Sequence, residues 1–254
     1  MKHIAEIKTD LRHVVVLELR RPPFNYLNVE LLTELADAFG RLDADPDCRA
    51  IVLAADGKAF SAGADFGSRS DDAANDTAAF YGQAMRLFRA TKPVVAAVHG
   101  AAVGAGLGLA VAADFRVACP DARFSANFNR LGFHPGFGLS LTLPRLVGAQ
   151  QAALLFYTGR RIDGEQARRI GLVDVLVEAS EVRAAALKLA EEIATSAPLA
   201  VESTRATLRA ELADEVALAN QKELALQRVQ FATEDFREGV AAMAERRLPE
   251  FKRR

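Results

Sequence analysis

The chain offers few of the features that announce a metal site, a nucleic-acid partner or a membrane. Among its 254 residues only two are cysteine, Cys48 and Cys119. They lie far apart and lack metal-ligand spacing or disulfide density, so no metal is expected and a reducing, cytoplasmic setting is. Neither charge predominates, since 32 Lys and Arg face 33 Asp and Glu. No basic excess points to nucleic acid, and no polybasic cluster points to a membrane surface. A long unbroken apolar run is also missing. The richest stretch, Val94 to Val117, is interrupted by His99, by Gly100, Gly104, Gly106 and Gly108, and by Asp114. It reads as a strand, a loop and a buried helix, not as a membrane span. The start, Met1-Lys2-His3-Ile4-Ala5-Glu6, has no apolar centre of a signal peptide.

Several catalytic motifs are absent too. Gly104-Ala105-Gly106-Leu107-Gly108 sits where a dinucleotide fingerprint would, but its glycines are too tightly spaced for Gly-x-Gly-x-x-Gly. No Gly-x-x-x-x-Gly-Lys-Ser/Thr phosphate loop occurs. Ser61 stands in Ala-x-Ser-x-Gly, which lacks the first glycine of a serine-hydrolase elbow.

Half of the residues are hydrophobic, enough for one large core. Ile4–Thr9 and His13–Leu19 read as paired strands, and Arg21-Pro22-Pro23-Phe24-Asn25 stops the ladder because proline cannot continue it. Asn28 is suited to cap a helix whose Leu31, Leu32, Leu35, Phe39 and Leu42 form a stripe, ending near Asp45-Pro46. Ala50–Ala55 then completes a β-α-β unit with parallel pairing. Ser68–Thr77 is polar and small and reads as a mobile loop. A helix over Ala78–Ala90, a strand over Pro93–Val98, a helix over Ala105–Ala112 and short strands over Phe115–Ala118 and Arg123–Ser125 follow. Phe137–Leu146 and Ala149–Thr158 read as helices split by Gly148. Beyond Val177 the chain is nearly all helix, with starts near Ser180, Pro198, Ala213 and Glu234. The expected fold class is α/β, with a core over residues 1–195 and a helical assembly region over 196–254.

Two strands end in small-residue loops, Gly57-Lys58-Ala59-Phe60-Ser61-Ala62-Gly63-Ala64-Asp65-Phe66 and His99-Gly100-Ala101-Ala102-Val103-Gly104-Ala105-Gly106. Small residues let backbone N–H groups approach a ligand, and two such amides on one oxygen make an oxyanion hole. These loops, with Arg21-Pro22 through Asn28, Pro144-Arg145-Leu146-Val147-Gly148, Thr158-Gly159-Arg160, Ala167 to Asp174 and Glu234 to Phe251, resemble the crotonase (enoyl-CoA hydratase/isomerase) family over nearly the whole chain. The resemblance implies a spiral of β-β-α units and a helical C-terminal region that builds a homotrimer or a hexamer, a dimer of trimers. It implies an acyl-CoA or enoyl-CoA substrate and no covalently bound cofactor, with CoA entering as part of the substrate. It assigns the oxyanion donors to the amides of Ala62 and Ala105. The CoA slot then falls to Lys58, Ala59, Ala62, Gly63, Ala64, Asp65, Phe66 and Gly104.

The same resemblance exposes a gap. Hydratases of the family use two carboxylates, one on the attacking water and one on the α-proton. The matching positions here are Gly108 and Phe128, neither of which can move a proton. His134 in Gly132-Phe133-His134-Pro135-Gly136 is the candidate acid or base. Phe128, Phe133, Phe137 and Tyr81 are expected to line an apolar acyl pocket. The reading is an acyl-CoA enzyme that stabilises an enolate-like oxyanion without standard hydration. A CoA-thioester-binding protein with little catalysis, and a hydratase borrowing an acid from elsewhere, such as a neighbouring subunit, are the alternatives.

Overall fold

In the computed structural model, which describes residues 3–65 and 73–254, the chain coils in successive β-β-α passes. β1 (Ile4–Lys8) runs antiparallel to β2 (Val14–Leu19), with Ile4 opposite Leu19. In β1, the edge strand, only Ile4 is buried, whereas β2 is buried throughout. The Asn28 side chain accepts the Leu31 N–H at 3.0 Å and starts α1 (Val29–Ala44), whose leucine and phenylalanine stripe is buried as expected. β3 (Ala50–Ala55) returns parallel to β2.

The passes continue through β4 (Ala59–Ser61), α2 (Ala73–Leu87), β5 (Val94–Val98), β6 (Ala101–Val103) and α3 (Ala105–Ala112). Then come β7 (Phe115–Ala118), β8 (Arg123–Ser125), a 3-10 turn (Asn127–Leu131), α4 (Leu139–Val147) and α5 (Ala149–Thr158). β9 (Arg161–Asp163), α6 (Gly164–Arg169) and β10 (Val175–Leu176) close the series. From β3 to β8 successive strands alternate between a larger sheet, ordered β1-β2-β3-β5-β7-β10, and a smaller one, ordered β4-β6-β8-β9. The larger sheet is parallel apart from β1, and the smaller one apart from β9. This is the spiral that the resemblance implies. α7 (Val182–Ala194) covers the larger sheet, followed by α8 (Pro198–Leu208), α9 (Leu212–Gln230) and α10 (Glu234–Ala244). No helix among the described residues is long and apolar enough to cross a membrane.

Four expectations change. α2 begins at Ala73, so residues 73–77, read as loop, are helical; Ser68 to Asp72 lie outside the described residues, as does Phe66. Ala59–Ser61 and Ala101–Val103, read as loops, are strands of a second sheet that three-residue segments are too short to reveal by periodicity. β9, α6 and β10 are additional for the same reason. Phe137 and Gly138 stand at φ +64° and +71°, so α4 starts at Leu139 and not at Phe137.

Polar braces attach outlying segments. Asp114 accepts from Val94 N–H at 2.8 Å, Arg205 Nε at 3.0 Å and Arg209 Nη1 at 2.7 Å, tying α8 to the larger sheet. Asn25 is fully buried at φ +49°, a left-handed conformation that asparagine tolerates. Its Nδ2 donates to the carbonyls of Asp56 at 2.6 Å and Ala59 at 2.8 Å, and its Oδ1 accepts the Arg21 N–H at 2.9 Å. It thus bolts the proline-rich stop to the first small-residue loop.

Two outcomes follow from this packing. Asn25→Ala leaves two carbonyls without their donor, at a cost of about 1–3 kcal/mol for each one left unsatisfied; thermal unfolding of the variant shows a clear drop in midpoint, and an unchanged midpoint contradicts the brace. Burial pushes the Cys48 thiol up to about 12, and the side chain is enclosed. At pH 8 Cys48 therefore stays unlabelled by Ellman's reagent in the folded protein and reacts on unfolding, as peptide mapping reads out.

Candidate active site

The first small-residue loop has most of its amides already engaged. Ala62 N–H donates to the Phe24 carbonyl at 2.9 Å, Gly63 N–H to Ser61 Oγ at 3.3 Å, and Asp65 N–H to the Leu27 carbonyl at 2.9 Å. The segment Pro23–Leu27 thus takes the Ala62 and Asp65 donors in passing, and Ser61 takes that of Gly63. Ala64 N–H alone in this turn has no acceptor among the described residues. The oxyanion role expected of Ala62 is thereby corrected: its amide is tied to Phe24, and Ala64 presents the unengaged donor.

The second loop ends at Gly104, whose φ of +55° turns the chain into α3. Gly104 N–H donates to the Ser125 carbonyl at 2.9 Å, and Gly108 N–H closes the first helical turn onto the Gly104 carbonyl at 3.1 Å. Ala105 is the first helical residue, so its N–H has no intrahelical partner, and Gly104 brings no capping side chain. The positive end of the helix dipole falls at this amide. The two loops touch closely. A Cβ on Gly63 would lie 3.0 Å from the Val103 carbonyl oxygen and 4.0 Å from Ala105 N. A Cβ on Gly106 would run into the Ser61 carbonyl. The free amides of Ala64 and Ala105 therefore belong to adjoining backbone turns.

One helical turn beyond Ala105, Gly108 faces Phe137. A Cβ on Gly108 would stand 2.6 Å from the Phe137 ring. Phe137 is fully buried, and its ring packs edge-on against Phe80 at 6.3 Å and Phe88 at 6.4 Å. Phe128, in the 3-10 turn, packs against Phe133 at 5.6 Å, and Phe133 continues to Phe231 and Phe236 in the C-terminal region. The expected acyl-pocket residues thus fall into two aromatic groups. Phe137 stands beside α3, while Phe128 and Phe133 lead toward α10. Tyr81 is buried on α2, where its hydroxyl accepts from Gln227 Nε2 at 3.1 Å.

His134 is placed differently from expectation. It lines a cavity of about 300 Å³ with Asn129, Pro135, Ser140, Pro144, Phe156 and Tyr157, apart from Ala64, Ala105, Gly108 and Phe137. Its Nδ1 lies 2.8 Å from the Pro135 carbonyl, which can only accept, so the proton sits on Nδ1. Lys58 is exposed, with its N–H donating to the Pro23 carbonyl at 2.9 Å, and Ala59 is buried beneath it. Asp65 pairs with Arg21 at 3.1 Å. Among the described residues no group of acidic, histidine and cysteine side chains is arranged to hold a metal ion.

Sequence reasoning missed the part played by α9. Asn220, Glu223 and Gln227 look like a solvated stripe, yet all three are buried. The Glu223 carboxylate accepts from Gly138 N–H at 2.8 Å, Ser140 N–H at 2.9 Å, Ser140 Oγ at 2.6 Å and Asn220 Nδ2 at 3.1 Å. Gln227 Nε2 donates to the His134 carbonyl at 2.8 Å. The loop from His134 to Ser140 is thus clamped at both ends. The spacing of three and four between these polar residues is the one signal available, and it also describes an exposed helix face.

Comparison with known proteins identifies the family and the fold. The sequence profile of the enoyl-CoA hydratase/isomerase family matches residues 10–254. A crotonyl-CoA hydratase of Syntrophomonas wolfei is 35% identical over 244 residues, covering 94% of each chain. A probable enoyl-CoA hydratase of Rhizobium meliloti is 39% identical over 248 residues, covering 95% of each. The crystal structure of an enoyl-CoA hydratase/isomerase from Pseudoalteromonas atlantica superposes with a TM-score of 0.87 at 33% identity, covering 99% of this chain and 100% of that one. With profile, relatives and architecture in agreement from end to end, the chain belongs to the enoyl-CoA hydratase/isomerase family.

Proposed function

We propose that the protein acts on an acyl-CoA thioester and stabilises an enolate-like oxyanion with the amides of Ala64 and Ala105. The observation that carries this reading is that these two N–H groups lack acceptors among the described residues while their neighbours in the same turns are engaged. Two preorganised donors at a developing oxyanion are worth several kcal/mol, about 3 kcal/mol for each. Relatives named as crotonyl-CoA and enoyl-CoA hydratases support the thioester class. The CoA portion is assigned to Lys58, Ala59, Gly63, Ala64, Asp65 and Gly104, with Phe66 beside them in sequence.

Hydration itself is disfavoured. By the family resemblance the two acids would fall at Gly108, which has no side chain and lies under the Phe137 ring, and at Phe128, which is buried hydrocarbon. A missing general acid or base costs about 10²–10⁴-fold. The reading therefore favours reactions that need the oxyanion more than an added water: isomerisation, decarboxylation or C–C cleavage. The second reading, a thioester-binding protein without turnover, is favoured by the absence of an acid at positions 108 and 128. Assembly as a homotrimer or a dimer of trimers is part of the proposal. It is supported by the exposed Leu199, Leu208, Leu218, Val229, Met243 and Leu248 of the C-terminal region. Both thiols are buried and unpaired, which suits a reducing cytoplasm.

Incubation with a panel of acyl- and enoyl-CoA thioesters in D2O, read by mass spectrometry, tests the reading. Deuterium uptake or a new thioester product, with little hydration, is the expected result. Thioester binding with no exchange and no product transfers the assignment to the non-catalytic binder. Ala105→Pro probes the amide itself. Proline is tolerated at the first position of a helix yet lacks the N–H. Turnover is expected to fall about 10²–10³-fold with one donor gone, at a nearly unchanged melting point. Undiminished turnover removes Ala105 from the oxyanion hole.

A further inference from the structure

We infer that Phe137 is the residue that sets the length of acyl group this protein accepts: its ring occupies the space of a side chain at position 108 and ends the acyl site close to the thioester. The inference rests on the proposed thioester reading and adds the substrate's size to it. Gly108 lies three residues after Ala105, which makes the two neighbours on adjacent turns of α3, about 5–6 Å apart. The Phe137 ring stands 2.6 Å from where a Cβ on Gly108 would be. An acyl chain leaving a thioester oxygen held at Ala105 meets this ring within a few carbons. Behind the ring lie Phe80 and Phe88, and Phe137 itself has no exposed surface.

A second set of contacts shows that the ring is held there. Phe137 adopts φ +64°, a strained conformation for a bulky residue, and such outliers persist where the surroundings over-determine them. The surroundings here are the α9 residues. Glu223 grips Gly138 N–H and Ser140 on one side of Phe137, and Gln227 grips the His134 carbonyl on the other. Gly136, just before Phe137, packs so closely on the Tyr81 hydroxyl and Gln227 that a Cβ there would collide with both. Gly108 and Phe137 therefore form one complementary unit. The absent side chain makes room for the ring, and the ring in turn denies that room to an acid or a longer acyl chain. The matching ligand is a CoA thioester with a short acyl group.

Calorimetric titration of the full-length protein with acetyl-, butanoyl-, hexanoyl-, octanoyl- and decanoyl-CoA tests this. Wild type is expected to bind acetyl- and butanoyl-CoA best and to lose affinity from hexanoyl-CoA onward. In Phe137→Ala the optimum moves to longer chains. Each methylene newly buried is worth about fourfold in affinity, so hexanoyl-CoA should gain at least tenfold relative to butanoyl-CoA. Phe137→Leu, which keeps an apolar side chain, gives a smaller shift and serves if the alanine variant does not fold. Binding with the same chain-length profile in wild type and variants overturns the inference and leaves the thioester reading standing. Binding of no thioester by wild type overturns both. The packing claim has its own readout in the melting point. Gly108→Ala alone should lower it, and the same change in the Phe137→Ala background should be neutral or raise it, because alanine is the better helix former once the ring is gone. A harmless Gly108→Ala in wild type also overturns the inference.

Discussion

The Ser61–Asp65 turn and the Val103–Gly106 turn approach each other more closely than side chains permit, and the geometry of the candidate site is measured from that contact. Gly63 lies against the Val103 carbonyl, Gly106 against the Ser61 carbonyl and Gly100 against Lys58, so a Cβ at any of the three meets backbone at 3.0 Å or less. Backbone cannot retreat as the end of a flexible side chain can, so glycine is required there by sterics. The contact fixes β4 beside β6 and brings the start of α3 to the first turn. It also leaves Ala64 and Ala105 with amides that no other described residue engages.

Around Ala105 and Gly108 the described residues are hydrocarbon, while the Asp65–Arg21 pair stands next to Ala64. α3 is buried on every side, and Phe137 fills the space over Gly108. On the proposed reading this has two opposing effects. A low-dielectric surrounding strengthens hydrogen bonds from fixed N–H donors to a developing oxyanion. The same surrounding removes the carboxylates that would shuttle protons or orient water. Polar residues are instead placed one layer away. Glu223 and Gln227 satisfy loop amides and carbonyls from behind, and with all of its acceptor capacity directed at Gly138, Ser140 and Asn220 the Glu223 carboxylate acts as a structural clamp.

Much of the framework was legible from the residues. The continuous apolar run Ala50–Ala55 marked a buried parallel strand, the Leu31 to Leu42 stripe marked α1, and Asn28 marked its start. Of the C-terminal helices, α8 and α10 begin at Pro198 and Glu234, where their starts were expected, and α7 and α9 within two residues of theirs. The smaller sheet was not legible, because its three-residue strands carry no measurable period and are held by neighbours distant in sequence. His134 also escaped a reading by motif. Its loop faces α9 on one side and the α4–α5 cavity on the other, and only the packed helices decide which side the ring takes.

Sequence by itself determined the positions of the two small-residue loops, the longer apolar strands and α1, and its ordered motifs carried the resemblance to the family, which in turn implied the spiral of β-β-α units. It also established that positions 108 and 128 carry no acid. Tertiary structure alone decided which amide of the first loop is free. Ala62 and Ala64 are the same residue two positions apart, and only the passage of Pro23–Leu27 alongside, taking the Ala62 N–H and leaving that of Ala64, tells them apart. It decided as well that Phe137 stands over Gly108 and that Glu223 is buried, since both follow from long-range packing of α9 on the His134–Ser140 loop, which no local pattern encodes.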